Sequence, residues 1–188
     1  MIRIGILGDI GSGKSFVAKN FGYPVFNADK EVEKLYKKNK KIFLKLKKVL
    51  PNFIQSYPIN KSEIIKAILS NKVNLKKIIS IIHVEIRKEM KKFLRNNKKK
   101  KIVILDIPLL LENKINKRGD ILIFVKSKRS EITKRLKKRT NFNKNLFNTF
   151  KKLQLPIDYK MRKSNYIIKN NFTKESVKRN IKHILNNI

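Results

Sequence analysis

Residues 8–15 decide the fold: they read Gly-Asp-Ile-Gly-Ser-Gly-Lys-Ser and match the pattern G-x-x-x-x-G-K-[ST] at every fixed position. Glycines Gly8, Gly11 and Gly13 let the backbone curl, so that successive N–H groups point inward and can cradle phosphate oxygens. An apolar, β-prone stretch precedes the motif and a helical stretch begins at Lys14. Because this strand–loop–helix context is the one such a loop requires, we predict a nucleotide phosphate site here.

Side chains in and after the loop indicate what it binds. Lys14 is expected to reach the β- and γ-phosphates of ATP, and Ser15 offers a hydroxyl to Mg²⁺. Ser12 and Phe16 complete the predicted ATP-binding set with the glycines, and the positive end of the following helix adds to it. ATP and Mg²⁺ are therefore the expected cofactors. The loop alone does not distinguish kinases from GTPases and ATPases.

Apolar runs along the rest of the chain predict an α/β fold of the P-loop kinase type, with a five-stranded parallel sheet flanked by helices. The 188 residues suit one compact domain. The predicted strands are residues 1–7, 24–26, 102–106, 121–125 and 166–168.

We predict that residues 1–188 form a single domain with three parts. The core comprises about 1–29, 102–127 and 164–188, and a helical insertion spans about 30–95. A basic helical segment, about 128–152, is expected to act as a lid.

Two aspartates follow predicted strands. Asp106 ends a buried strand at the edge where ligands of parallel sheets bind, and we expect it to hold Mg²⁺ directly or through water. Its alternative role is to cap the turn before Pro108. Asp29 follows the second strand, where a carboxylate could accept or orient the acceptor hydroxyl proton. Because a helix follows at once, a simple N-cap role stays open for Asp29.

Arg135 and Arg139 lie four residues apart on one predicted helical face. They are placed to clamp a transferring phosphoryl group as part of the lid, and the alternative is a solvated basic helix. His83 lies in an apolar helical stripe, where histidine is more often a packing residue than a catalyst. With two histidines and no cysteine, a zinc site is not expected.

The net charge of +35 raises the question of nucleic-acid binding. Of the basic residues, 39 are lysine and only nine are arginine, and lysine recurs along the whole chain. Lysine, asparagine and isoleucine are all abundant and all use A/T-rich codons, so compositional drift explains the charge better than a specific nucleic-acid partner. We expect no membrane span, a cytoplasmic location and a monomer. A basic nucleic-acid-binding ATPase is the less favoured alternative.

Together these motifs resemble the dephospho-coenzyme A kinase family, over nearly the whole chain. The most telling match after the loop is residues 105–112, Leu-Asp-Ile-Pro-Leu-Leu-Leu-Glu, which is similar to the family segment Asp-x-Pro-Leu-Leu-x-Glu. Further similar segments are residues 4–15, Val-Phe-Asn-Ala-Asp at 25–29, Gln154, Lys160, and Asn-Tyr-Ile-Ile-Lys-Asn at 165–170.

The resemblance implies phosphorylation of the ribose 3′-hydroxyl of dephospho-coenzyme A by ATP, giving coenzyme A. Asp29 would be the base facing that hydroxyl, and Asp106 would lie near Mg²⁺. Asn170 would lie near the adenine of ATP, and Arg135 and Arg139 would belong to the lid. A nucleoside or nucleotide kinase on the same scaffold is the alternative, and the 105–112 segment argues against it.

The resemblance also implies that the helical insertion binds the acceptor. His83 would face the coenzyme A moiety, and so would Lys61, which stands where the family commonly has arginine. Val84 replaces a usual proline and Asn165 a common aspartate. Lysine lacks the bidentate fork of arginine, so the departure at Lys61 concerns acceptor affinity rather than reaction type.

Overall fold

A computed structural model describes residues 1–138, 140 and 142–188. The strands are β1 (Ile2–Gly8), β2 (Val25–Asn27), β3 (Ile102–Asp106), β4 (Ile121–Lys126) and β5 (Tyr166–Lys169). The helices are α1 (Lys14–Asn20), α2 (Ala28–Lys38), α3 (Lys40–Val49), α4 (Lys61–Ser70), α5 (Lys72–Asn96), α6 (Arg129–Lys137), α7 (Lys144–Lys151), α8 (Ile157–Arg162) and α9 (Lys174–Leu185).

The strands form one parallel sheet in the order β2-β3-β1-β4-β5. The central strand β1 aligns Ile4 with Ile104 of β3 and Ile6 with Ile123 of β4. Both faces of such a sheet are covered, which is why β3 is apolar without alternation from Ile102 to Leu105. All five carboxyl ends lie at one edge, where parallel sheets bind their ligands. The predicted five-stranded parallel α/β fold is confirmed.

One face of the sheet packs against α1 and α9. Its core consists of isoleucines and valines from the strands together with apolar residues of the two helices. On the other face, Gly5 lies under Leu110 and Leu122, where an added Cβ would come 3.0 Å from Leu122. At the opposite edge from the loop, Arg3 of β1 forms an ion pair of 3.0 Å with Asp120, which precedes β4.

The chain divides into two compact units, which we call the sheet unit and the helical unit. The sheet unit comprises Met1–Asn27, Asn97–Phe142 and Lys151–Ile188, and the helical unit comprises Ala28–Asn96 and Asn143–Phe150.

Within the helical unit, the long helix α5 packs against α2, α3 and α4. Its buried positions recur every three or four residues, as expected for a helix with one apolar face. They are Leu75, Ile78, Ile82, Ile86 and Met90. Over the described part of the chain, no helix has both the length and the apolar character needed to cross a membrane.

Candidate active site

The loop at residues 8–15 joins β1 to α1 within the sheet unit, and Gly13 is its most constrained position. Gly13 is the N-cap of α1 with φ 89° and ψ 26°, in the left-handed region. A Cβ there would overlap the side-chain amide of Asn170 and come 2.8 Å from the ring of Phe172. Both the backbone conformation and the close approach therefore require glycine.

Lys14 folds back over the loop that carries it. Its ammonium donates to the carbonyl of Asp9 at 2.8 Å and to that of Gly8 at 3.2 Å. A charged phosphate oxygen is a stronger acceptor for an ammonium than a neutral carbonyl. The position of Lys14 therefore fits a side chain that exchanges loop carbonyls for a phosphate when one binds.

The remaining loop residues differ in what they present. Ser12 is buried, and its hydroxyl has no hydrogen-bond partner among the residues that the structure describes. Ser15 is exposed in the first turn of α1, which leaves its hydroxyl accessible. The ring of Phe16 packs against the apolar core, so any phosphate contact of this residue would use its main-chain N–H.

Asp106 lies at the carboxyl end of β3 and is only 3% exposed. Its neighbour on β2 is Asn27, aligned with it in the parallel register. The Asn27 side-chain amide donates to Oδ2 of Asp106 at 2.5 Å. One carboxylate oxygen is therefore oriented by an uncharged donor, and the sequence had not singled out Asn27.

The oxygen donors here fit a magnesium ion that is bound mainly by its nucleotide. Mg²⁺ is usually held by one or two carboxylates together with phosphate oxygens and waters. Asp106 and Ser15 supply a carboxylate and a hydroxyl of that type. Among the described residues, no group of three or more His, Cys, Asp or Glu side chains is placed to hold a metal ion.

A small cavity of about 20 Å³ adjoins the loop and is lined partly by Gly8, Lys14 and Pro108. Lys160 lies at its wall with its side chain 4% exposed. The ammonium of Lys160 donates to Gln154 at 2.9 Å and pairs with Glu112 at 3.3 Å. A buried cation is thus held at fixed position beside the loop.

Asn170 is buried and uses both ends of its side-chain amide. Nδ2 donates to the Ser12 carbonyl at 2.8 Å, and Oδ1 accepts from the N–H of Phe172 at 2.9 Å. Asn170 therefore contacts the phosphate-binding loop directly. A contact with adenine stays a prediction.

Helix α6 packs on the loop: a Cβ at Gly11 would come 3.1 Å from both Ile132 and Leu136. On the exposed side of α6, the guanidinium of Arg135 lies 4.1 Å from the centre of the Phe172 ring, a cation–π contact. Arg135 is therefore close to the loop region. Arg139, its predicted companion, lies outside the described residues.

Three predicted acceptor-side residues belong to the helical unit. Asp29 is exposed within the first turn of α2 rather than before it, and Lys61 is the first residue of α4. His83 is half-buried in α5. Burial, and secondly the charge of Arg87, lower the pKa of His83 below its usual value. Both effects favour the neutral form of the His83 imidazole.

Lys61 acts electrostatically on α2. The pKa of Glu33 is lowered, first by the hydrogen bond and charge of Lys37 and to a lesser extent by the charges of Lys61 and Lys30. Lys61 is therefore part of a cationic environment around the exposed face of α2.

The sequence and the structure of this chain were both found to be similar to known proteins. The sequence profile of the dephospho-CoA kinases matches residues 2–175. The chain belongs to the dephospho-CoA kinase family. Dephospho-CoA kinases from Wolbachia pipientis wMel and Wolbachia sp. subsp. Brugia malayi are 34% and 33% identical to it, covering 98% of this chain and 97% of each relative. A crystal structure of a Thermus thermophilus protein is 26% identical, with a TM-score of 0.81 over 100% of this chain and 97% of that one.

Within this dephospho-CoA kinase family member, the sheet unit brings together the loop, Asp106, Asn170 and Arg135. Asp29, Lys61 and His83 belong to the helical unit.

Sequence reasoning missed three kinds of contact near the loop. The bond from Asn27 to Asp106 was missed because an amide at a strand end is not part of a catalytic motif, although Asn27 belongs to the family-like segment at residues 25–29. Ser127 follows β4, and its hydroxyl donates to the Ser12 carbonyl at 2.8 Å. No motif of the sequence includes Ser127. Glu112 and Lys160 were recognised as similar to family positions, but their pairing required the fold, since they are 48 positions apart.

Proposed function

We propose that this protein transfers the γ-phosphate of ATP to the ribose 3′-hydroxyl of dephospho-CoA, the final step of coenzyme A biosynthesis. The observation that carries the proposal is the family match over residues 2–175, combined with an intact phosphate-binding loop. The acceptor is a small molecule. Neither a nucleic acid nor a membrane is needed for the chemistry.

The loop residues position the donor. Main-chain N–H groups of residues 8–15 would bind phosphate oxygens, and Lys14 would leave the carbonyls of Gly8 and Asp9 to bridge the β- and γ-phosphates. There its ammonium would stabilise the negative charge that develops on the oxygen between those phosphates.

The acceptor side needs a group that receives a proton. In the reaction, a bond forms between the acceptor 3′-oxygen and the γ-phosphorus, and the bond from that phosphorus to the β–γ bridging oxygen breaks, giving ADP. The hydroxyl proton would pass to the carboxylate of Asp29, or be oriented by it. The exposed position of Asp29 in the first turn of α2 supports this role.

Mg²⁺, when bound, would neutralise charge on the phosphates, and Asp106 and Ser15 would hold it. Asn27 fixes one oxygen of Asp106 for that purpose. Arg135 and Arg139 would close over the transferring group, with Arg135 leaving the ring of Phe172. Lys61 and His83 would contact the acceptor. Exclusion of water by this closure would limit wasteful ATP hydrolysis.

The test measures ADP formation by purified protein with Mg²⁺ and ATP, in the presence or absence of dephospho-CoA. The expected result is ADP release only with dephospho-CoA, with coenzyme A identified as product by mass spectrometry. Nucleosides and nucleoside monophosphates serve as alternative acceptors. Phosphorylation of one of these, without activity on dephospho-CoA, would overturn the proposal in favour of a nucleoside or nucleotide kinase.

A matched pair of variants tests Asp29. Asp29→Asn removes the proton acceptor and is expected to lower kcat by about 100-fold or more, the range of general-base catalysis. Asp158→Asn is the control, because Asp158 also occupies the first turn of a helix of this protein. Equal activity of the two variants would remove Asp29 from the mechanism.

A further inference from the structure

The carbonyl of Ser12 lies at the centre of an unusual arrangement inside the loop. It accepts one hydrogen bond from the hydroxyl of Ser127 at 2.8 Å and another from the side-chain amide of Asn170, also at 2.8 Å. Ser12 itself is 1% exposed and Asn170 is 4% exposed. A backbone carbonyl has two lone pairs, and here side chains from two distant segments bond the same oxygen.

The two donors are themselves fixed by neighbouring strands. Ser127 follows the last residue of β4, and Asn170 follows the last residue of β5. The strands are adjacent and in parallel register, and the N–H of Asn170 donates to the carbonyl of Lys126 at 2.8 Å. The Oδ1 of Asn170 accepts from Phe172, which holds the amide in one orientation. The donors are therefore anchored to the sheet.

The direction of the Ser12 carbonyl fixes the group on the other side of its peptide bond. A trans peptide is planar, with its C=O and N–H pointing in opposite directions. When Ser127 and Asn170 hold the carbonyl towards the strand ends, the N–H of Gly13 points the other way. The carbonyl of Gly13 is committed to α1, since it accepts from Val17 at 3.0 Å. The Ser12–Gly13 peptide is therefore held through the Ser12 carbonyl, and the next peptide, Gly13–Lys14, is held by the first turn of α1.

We infer that Ser127 and Asn170 are positioning residues that orient the Gly13 N–H for phosphate by bracing the Ser12 carbonyl. The inference rests on the proposed binding of ATP phosphates by residues 8–15. It assigns Asn170 a role towards the phosphates that is independent of any contact with adenine. It also adds Ser127, a residue outside every motif of the sequence.

The probe that separates these roles is inorganic tripolyphosphate, because it has no base or ribose. Its dissociation constant is measured by titration calorimetry for the wild type, Ser127→Ala and Asn170→Ala. Each variant is expected to bind tripolyphosphate about 3- to 30-fold more weakly, the effect of losing one buried hydrogen bond. The double variant is expected to lose more affinity than the product of the two single-variant fold-changes. Only in the double variant does the Ser12 carbonyl lack both side-chain donors.

Matched controls remove the same groups elsewhere. Ser80→Ala deletes a hydroxyl that donates to a backbone carbonyl at 2.8 Å, and Asn180→Ala deletes an amide that does so at 2.8 Å. Both are expected to bind tripolyphosphate within about twofold of the wild type, as expected for sites with no shared partners. Ser127→Thr keeps the donor and should restore wild-type affinity, which a loss of packing alone would not explain.

The possible outcomes separate failure of the phosphate site from failure of the positioning role of Ser127 and Asn170. If the wild type itself does not bind tripolyphosphate, the phosphate site is refuted. If the wild type binds and Ser127→Ala matches Ser80→Ala, the brace is refuted while the site stands. If Asn170→Ala weakens ATP binding but not tripolyphosphate binding, Asn170 acts on the base and the inference fails for that residue. Thermal unfolding checks that each variant is folded, and Ser127→Ala suffices should Asn170→Ala not fold.

Discussion

Replacing Lys160 by methionine should strongly destabilise the sheet unit, although the new side chain is apolar and similar in length. Lys160 and Glu112 form an ion pair of 3.3 Å with side chains 4% and 10% exposed. At an effective dielectric constant of about 20, two unit charges at this separation attract by about 5 kcal/mol. Removing one partner leaves the other charged and buried, which costs about 3–5 kcal/mol.

The double variant Glu112→Gln with Lys160→Met should recover most of that loss. Both charges are then absent, so the desolvation penalty disappears with the attraction. Glutamine keeps an oxygen that can accept from the N–H of Leu155, as Glu112 does at 3.0 Å. We expect the double variant to lie within about 1–2 kcal/mol of the wild type and each single variant well below it.

The assay is urea unfolding at fixed ionic strength, followed by circular dichroism, which yields the free energy of unfolding. The control pair is Lys88 and Glu85, at a nearly equal distance of 3.2 Å but with the lysine side chain 62% exposed. Breaking that surface pair should cost about 0–1 kcal/mol. If Lys160→Met loses no more than Lys88→Met, or if the losses of Glu112→Gln and Lys160→Met simply add, the reasoning about burial is wrong.

Three further predictions concern the loop and one histidine. Lys14→Met should lower kcat/KM by about 100-fold or more, as measured by a coupled assay of ADP release. The control Lys19→Met, on the same helix, should not lower it. Near-normal turnover of Lys14→Met would exclude a role of Lys14 in binding the phosphates. Gly13→Ala should lower the free energy of unfolding more than Gly119→Ala does. The two glycines have nearly the same φ, 89° and 88°, so each substitution carries backbone strain of about 1–2 kcal/mol, but only Gly13 also has close neighbours that a Cβ would meet. Equal losses measured by urea unfolding would contradict this. Because the folded state holds the pKa of His83 below 6.5, the unfolded chain binds the proton first as pH falls. The free energy of unfolding should therefore fall as pH drops below about 6.5. His83→Gln should make this dependence on pH less steep, and an unchanged dependence would show that His83 is not its cause.

The strands and helices could be predicted because the chain is locally consistent. The apolar run at Ile102–Asp106 is bounded as predicted, and the helical spacing between residues 30 and 95 corresponds to α2, α3, α4 and α5. The strand order could not be predicted. Residues that pair across β1 and β3 are about a hundred positions apart, and apolar side chains do not specify which neighbour they pair with.

The site was predictable where a motif carries its own physics. The loop at residues 8–15 is recognisable because only glycine tolerates the left-handed conformation and the close packing seen at Gly13. The position of Asp106 at the carboxyl end of a buried strand could be predicted from the apolar run before it, and its role towards Mg²⁺ stays a prediction. By contrast, the bonds from Asn27 to Asp106 and from Ser127 to Ser12 use common polar residues whose partners are distant in sequence. Their function depends on placement, which composition and spacing do not encode.

Because the Ser12 carbonyl is bonded by residues that follow β4 and β5, the loop can be completed only late in synthesis of the chain. Ser12 and Asn170 are 158 positions apart in the chain. At synthesis rates of about 5–20 residues per second, roughly 8 to 30 s separate their emergence from the translating ribosome. A nascent chain therefore carries its glycine loop for many seconds before the residue that braces it exists. Nucleotide binding at this loop would then contribute little to early stages of folding, and would stabilise the protein only after β5 has joined the sheet.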